Sequence, residues 1–156
     1  MSDHLREDKA MRDPKHEPFD ETRRRLQVGL LQQRAEPDAA ANLTRIETGC
    51  REAAAAGCRL LLLQELHNGP YFCQREQTGE FDRAEPIPGP STQRLGQLAA
   101  ELNLVIVASL FERRAAGLYH NSAVVLDVDG RLAGCYRKMH IPDDPGFQEK
   151  FYFTPG

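Results

Sequence analysis

A carboxylate closes an apolar run at Leu60-Leu61-Leu62-Leu63-Gln64-Glu65, and a lysine closes another at Tyr136-Arg137-Lys138. A glutamate at the carboxyl end of a buried strand stands where open α/β sheets hold their ligands. Partial burial there moves a carboxyl toward the range useful for a general base. Position alone fits a solvated glutamate at a loop start equally well. Lys138 is read first as a surface charge; as a working group it stays ammonium and stabilises an oxyanion. Glu149 follows eleven positions later, within Phe147-Gln148-Glu149-Lys150-Phe151-Tyr152-Phe153. Its aromatic neighbours suit a pocket wall, although most glutamates beside a lysine are surface residues.

Other chemistries find less support. His67, His120 and His140 are isolated, and none pairs with a second histidine or a cysteine at metal-ligand spacing. His120-Asn121 lies inside a strand pattern and reads as structural. Cys50, Cys58, Cys73 and Cys135 show no CxxC spacing, so free thiols in a reducing compartment are expected. No GxGxxG, Walker or GxSxG motif occurs, so nucleotide cradles and serine-elbow hydrolases have no footing. Asp143-Asp144-Pro145-Gly146 is first of all a turn.

The elements that must position these residues follow from the apolar pattern. Residues 26–33 and 58–64 read as buried strands, the second apolar enough to be covered on both faces. Residues 38–56 read as a helix capped by Asp38, with Leu43, Ile46, Cys50 and Ala53 on one face and Gly57 at its end. Residues 66–89 form a long aromatic loop, a length that usually carries function. Residues 91–102 repeat the helical spacing through Leu95, Leu98, Ala99 and Leu102, with Ser91 as cap. Residues 104–111, 118–128 and 131–139 are strands, the last two joined by the hairpin signal Asp129-Gly130. The order β-α-β-loop-α-β-β-β predicts an α/β fold with a mixed sheet.

Composition bounds the rest. The chain has 156 residues, 40% of them hydrophobic and 28% charged, which suits one soluble domain. A net charge of -3 points to no nucleic-acid partner. No apolar stretch is long enough to span a bilayer and no secretory h-region opens the chain, so a cytoplasmic location is the default expectation. Residues 1–25 are polar and lack periodicity, and they are expected to form a disordered tail ahead of a domain over 26–156.

The strings LQELHNGPYFCQ, EPIPGPST, VIVASLFE, GLYHNSAVVLDVDG and YRKMHIPDDPGFQEKFYFTPG together resemble the carbon–nitrogen hydrolase (nitrilase) superfamily. The resemblance covers Leu26 to Gly156 and implies part of an α-β-β-α sandwich with helices on one face. It implies a Glu-Lys-Cys set, with Glu65 as base, Lys138 as the oxyanion-stabilising cation and Glu149 as a supporting carboxylate. Many relatives carry proline before the catalytic glutamate, where this chain has Gln64. None of the four cysteines lies in the family's nucleophile turn. The expectation is therefore a C-terminally truncated chain, representing the N-terminal part of the domain and inactive alone.

Within the superfamily the strings lie nearest the branch that hydrolyses N-carbamoylputrescine to putrescine, carbon dioxide and ammonia. A ureidopropionase-like enzyme, or a remnant that folds without catalysing, are the alternatives. The resemblance implies no cofactor and no metal, a small-molecule substrate, no membrane partner, and a homo-oligomer at full length. Tyr71, Asp143 and Asp144 are the expected substrate contacts. The loops also carry Glu76, Glu80, Asp82 and Glu85 against few cations, so a substrate with a distal cation is expected to be preferred over one with a distal carboxylate.

Overall fold

The computed structural model describes residues 25–156, so the expected tail, apart from Arg25, lies outside the described residues. Five strands form one sheet in chain order: β1 Val28–Leu31, β2 Leu60–Leu63, β3 Val105–Ala115, β4 Leu118–Leu126 and β5 Leu132–Arg137. The first three run parallel, and the last three are antiparallel. Parallel neighbours need crossovers, and α1 Ala39–Ala55 and α2 Pro90–Leu102 supply them. The mixed sheet expected from the element order is the one observed.

Both helices cover the same face. Ile46 and Cys50 of α1, with Leu95, Leu98 and Ala99 of α2, pack on Leu61, Ile106, Ala108, Leu110, Val124 and Leu126. These strand residues alternate along their strands, as one-faced burial requires. Leu95 and Leu98 are fully buried, and each contributes about 1.5–3 kcal/mol. Asp38 caps α1, its Oδ1 accepting from Ala40 N at 2.9 Å and Ala41 N at 3.3 Å.

The start of α2 departs from expectation. Gly89 is the cap and Pro90 opens the helix, a position where a missing N–H costs nothing. The Ser91 hydroxyl has no capping role; its backbone N–H donates to Glu85 Oε2 at 2.8 Å. Thr92 Oγ1 instead reaches back to accept from Gly89 N at 2.8 Å.

The other face of the sheet carries Val28, Leu30, Leu60, Leu62, Val107, Val125 and Tyr136, aligned by the strand register. Leu30 is 79% exposed and Tyr136 61%, so among the described residues this face has no covering layer.

A second cluster fixes the long loop. Leu66, Phe72, Cys73 and Ala84 from residues 66–89 pack with Phe111, Ile141, Tyr152 and Phe153. Phe72 meets Tyr152 edge-on at 4.9 Å and lies 5.0 Å from Phe111. The loop also forms a short 3₁₀ helix, Thr78–Arg83, which the sequence pattern does not signal. Gln77 N donates to Tyr152 Oη at 2.8 Å, and Gln148 N to Cys73 O at 2.7 Å. Aromatic packing and these bonds hold the loop after β2 against the segment after β5.

Candidate active site

The site assembles at one end of the sheet, where β2 and β5 finish. Glu65 lies two residues past β2, and Lys138 directly follows β5. Lys138 N donates to Asn121 O at 2.8 Å, which continues the β4–β5 pairing through the lysine. The Lys138 ammonium lies 3.2 Å from Glu65 Oε1 and 2.8 Å from Glu149 Oε2. Glu149 opens a 3₁₀ turn, Glu149–Phe151, and its other oxygen accepts from Tyr71 Oη at 3.0 Å. Four of the expected site residues, Glu65, Tyr71, Lys138 and Glu149, are thus brought together.

The two carboxylates sit in different surroundings. The Glu149 side chain is only 4% exposed and is held on both oxygens, by Tyr71 and by Lys138. The Glu65 side chain is 54% exposed. It faces an open cleft of about 300 Å³ lined by Val107, Ser109, Asn121, Ala123, Tyr136 and Lys138. With all three groups ionised, two carboxylates share one ammonium. The ammonium lies nearer the buried carboxylate, and Glu65 is the one that solvent and substrate can reach.

Burial alone would lower the Lys138 ammonium, but the Glu149 hydrogen bond and the charges of Glu65 and Glu149 outweigh it and raise its pKa. Lys138 therefore stays cationic throughout the neutral range. Burial pushes the Tyr71 phenol well up, and the Glu149 carboxylate adds to the effect. Tyr71 is a neutral donor to Glu149 here. His67 is buried, and loss of hydration brings it down to about 4 against the opposing pull of Ser109 O, 2.8 Å from Nδ1. It is neutral at ordinary pH.

Asp143 and Asp144 stand apart from this cluster. Both are exposed; Asp143 lies 3.9 Å from Lys150, and Asp144 closes a backbone turn with Phe147. Among the described residues, neither bonds to Glu65, Lys138 or Glu149. The acidic loop mouth is also partly used up internally. Glu80 pairs with Arg83 at 2.7 Å, and Glu85 is taken by Ser91 N and by Asn68 Nδ2 at 3.2 Å.

Asn121 carries more than its structural reading suggests. Its Nδ2 donates to Glu65 Oε1 at 2.7 Å. Ser109, on the neighbouring strand, donates to Asn121 Oδ1 at 3.3 Å. The available signal was a polar His120-Asn121-Ser122 run inside an otherwise apolar strand. Sequence alone could not tell which of the three faces the site.

The four thiols occupy distinct places. Cys50 and Cys58 are buried in the helix-side core, and Cys135 is exposed on β5. Cys73 is fully buried near the cluster. Burial, followed by the Glu149 charge, pushes its thiol up to about 12. A thiol so held is no thiolate at neutral pH, and the thiolate is the nucleophilic form. Among the described residues, no group of three or more His, Cys, Asp or Glu could hold a metal ion. No described helix is long and apolar enough to cross a membrane.

Residues 27–156 match the carbon-nitrogen hydrolase family, and the chain belongs to it. It is 45% identical over 135 residues to an N-carbamoylputrescine amidase of Arabidopsis thaliana, covering 86% of this chain and 45% of that protein. It is 39% identical over 132 residues to a citrullinase of Francisella tularensis, covering 84% of this chain and 46% of that protein. The crystal structure of a carbon-nitrogen hydrolase from Helicobacter pylori G27 superposes with a TM-score of 0.80 at 45% identity, over 84% of this chain and 45% of that one. The chain thus spans about half the length of the relatives it matches.

Proposed function

We propose that this chain supplies the glutamate and lysine of a hydrolase that cleaves the carbamoyl amide of N-carbamoylputrescine. The observation that carries the assignment is the meeting of Glu65, Lys138 and Glu149 at one sheet end, beside an open cleft. Identity of 45% to an N-carbamoylputrescine amidase supports the substrate.

In this scheme the nucleophile is a cysteine thiol from outside these 156 residues, because Cys73 is held protonated and the other three thiols lie away from the cluster. Glu65 takes the thiol proton, and the sulfur attacks the carbamoyl carbon. Lys138 stabilises the negative charge that develops on the carbonyl oxygen. Glu65 returns the proton to the leaving nitrogen, and ammonia departs from a carbamoyl thioester. Glu65 then deprotonates a water that displaces the sulfur, which recovers its proton. The released carbamic acid loses carbon dioxide to leave the amine. Glu149, held by Tyr71, keeps the Lys138 ammonium in place through both halves.

A second reading comes from the citrullinase relative: a carbamoyl amide whose distal end carries a carboxylate beside the amine. A distal carboxylate calls for an arginine fork. Arg83, within the aromatic loop, is already engaged with Glu80 and with Pro70 O at 3.2 Å. The first reading is therefore preferred. The test is kcat/KM for N-carbamoylputrescine, citrulline and N-carbamoyl-β-alanine, measured on the protein of full family length that contains this chain. The expected order puts N-carbamoylputrescine first. A preference for either carboxylate-bearing substrate overturns it, and no ammonia from any of the three overturns the hydrolase assignment.

A further inference from the structure

We infer that Ser109 and Asn121 are positioning residues that fix which oxygen of Glu65 is free to take a proton. The inference rests on Glu65 being the base proposed above, and it arises from a closed ring of hydrogen bonds. Leu66 N donates to Ser109 Oγ at 3.1 Å. Ser109 Oγ donates to Asn121 Oδ1 at 3.3 Å, and Asn121 Nδ2 donates to Glu65 Oε1 at 2.7 Å. The ring leaves the chain at residue 66 and returns to it at residue 65.

Each link constrains the next. Leu66 has φ +49°, a left-handed conformation that a leucine adopts only under strain. The bonds of the residue 66–67 backbone to Ser109, Leu66 N to Oγ and His67 N to the carbonyl at 3.3 Å, hold that turn. The turn in turn aims the Glu65 side chain into the cleft. The Glu65 carboxylate only accepts, so the Asn121 NH₂ must face it, and Asn121 Oδ1 is left to take the one Ser109 hydroxyl proton. Asn121 is buried, 4% exposed, and a turned amide would leave buried polar atoms unpaired.

The consequence is an asymmetric carboxylate. Both Asn121 and Lys138 donate to Oε1. No described residue donates to Oε2. A proton arriving at Glu65 goes to Oε2, because the Oε1 lone pairs already accept two bonds, one from a cation. The lysine alone would not give this selectivity; held by Glu149 it offers one donor point 3.2 Å away, and a freely rotating carboxylate could turn either oxygen to it. The buried amide does.

The test is solution NMR on the 156-residue chain, which needs no turnover. In the wild type, the Asn121 side-chain NH₂ signals are expected to move with pH as Glu65 ionises, and to lose that movement in Glu65→Gln. Ser109→Ala is expected to reduce the movement by at least half and to speed Leu66 amide exchange about tenfold, the loss of one hydrogen bond. Ser109→Thr, which keeps the hydroxyl, is expected to restore both. Asn121 signals indifferent to Glu65→Gln, or a Ser109→Ala chain indistinguishable from wild type, overturn the inference. If a substitution unfolds the chain, the wild-type and Glu65→Gln comparison still decides whether Asn121 reads the carboxylate. A ring found intact in a family-length protein that releases no ammonia would sink the proposed function and leave the ring standing.

Discussion

Lys138 Nζ lies 2.8 Å from Glu149 Oε2, and the glutamate is almost wholly buried while the lysine is partly open to the cleft. The pair binds the segment after β5 to the turn at residues 149–151. Glu149→Gln keeps the shape and removes the charge. The expected cost is about 1–3 kcal/mol by denaturant unfolding, since the lysine retains Glu65 and some water. The pH dependence has a definite sign. A lysine raised in the folded state contributes stability fully below its unfolded value, near 10.4, and that contribution is lost as pH rises through the higher folded value. Glu149→Gln should flatten this alkaline loss, and an unchanged alkaline slope would count against the pair.

Glu112 behaves in the opposite sense. It is 1% exposed and faces Arg137, which donates from Nε at 2.8 Å and from a terminal nitrogen at 2.5 Å, while Ser122 Oγ donates at 2.5 Å. Burial would raise the carboxyl, but these bonds prevail and lower it. Its contribution is present above the unfolded value, near 4.3, and is lost as pH falls through the lower folded value. Glu112→Ala strands Arg137 partly buried and is expected to cost about 3–5 kcal/mol. The double variant with Arg137→Ala should cost less than the two single changes added together. Additive losses in a double-mutant cycle would argue against the pairing.

Cys73 should resist thiol reagents in the native chain. Its sulfur is buried and its thiol lies near 12. At pH 8 a disulfide reagent is expected to label the exposed Cys135 and to reach Cys73 only when the chain unfolds. Cys73→Ala should leave the charge cluster intact. Fast native labelling of Cys73, mapped by mass spectrometry, would reopen it as a nucleophile.

The uncovered sheet face should make the 156-residue chain self-associate. Leu30 on β1 is 79% exposed and Tyr136 on β5 is 61% exposed, both on the uncovered face. Replacing both with lysine should lower association in sedimentation, with each change altering folding stability by no more than about 0.5 kcal/mol. Association that persists unchanged would place the sticky surface elsewhere.

The apolar pattern was enough to give the strand and helix order, while helices on a single face were implied only by the resemblance. A continuous run such as Leu60–Leu63 reads as a strand covered on both faces, yet among the described residues only Leu61 and Leu63 meet the helix-side core. Turn chemistry was legible at Asp38 and at Gly130, whose φ of +80° suits glycine. It failed at Ser91, because the cap of α2 depends on where Glu85 reaches across the loop. The chain order also placed Glu65 and Lys138 at strand ends. Their separation of 3.2 Å came only from the tertiary structure, because β2 and β5 have β3 and β4 between them and the two side chains meet across the ends of those strands. Asp143 and Asp144 are expected as substrate contacts because they follow the lysine motif directly. The structure leaves both on the surface and sets the lysine against Glu149, the supporting carboxylate of the resemblance, whose turn adjoins the aromatic cluster of Phe72, Phe111, Tyr152 and Phe153. Local sequence dictates local conformation through sterics and hydrogen bonding. Which distant polar atoms meet is decided by how the apolar surfaces between them pack, and that only the tertiary structure contains.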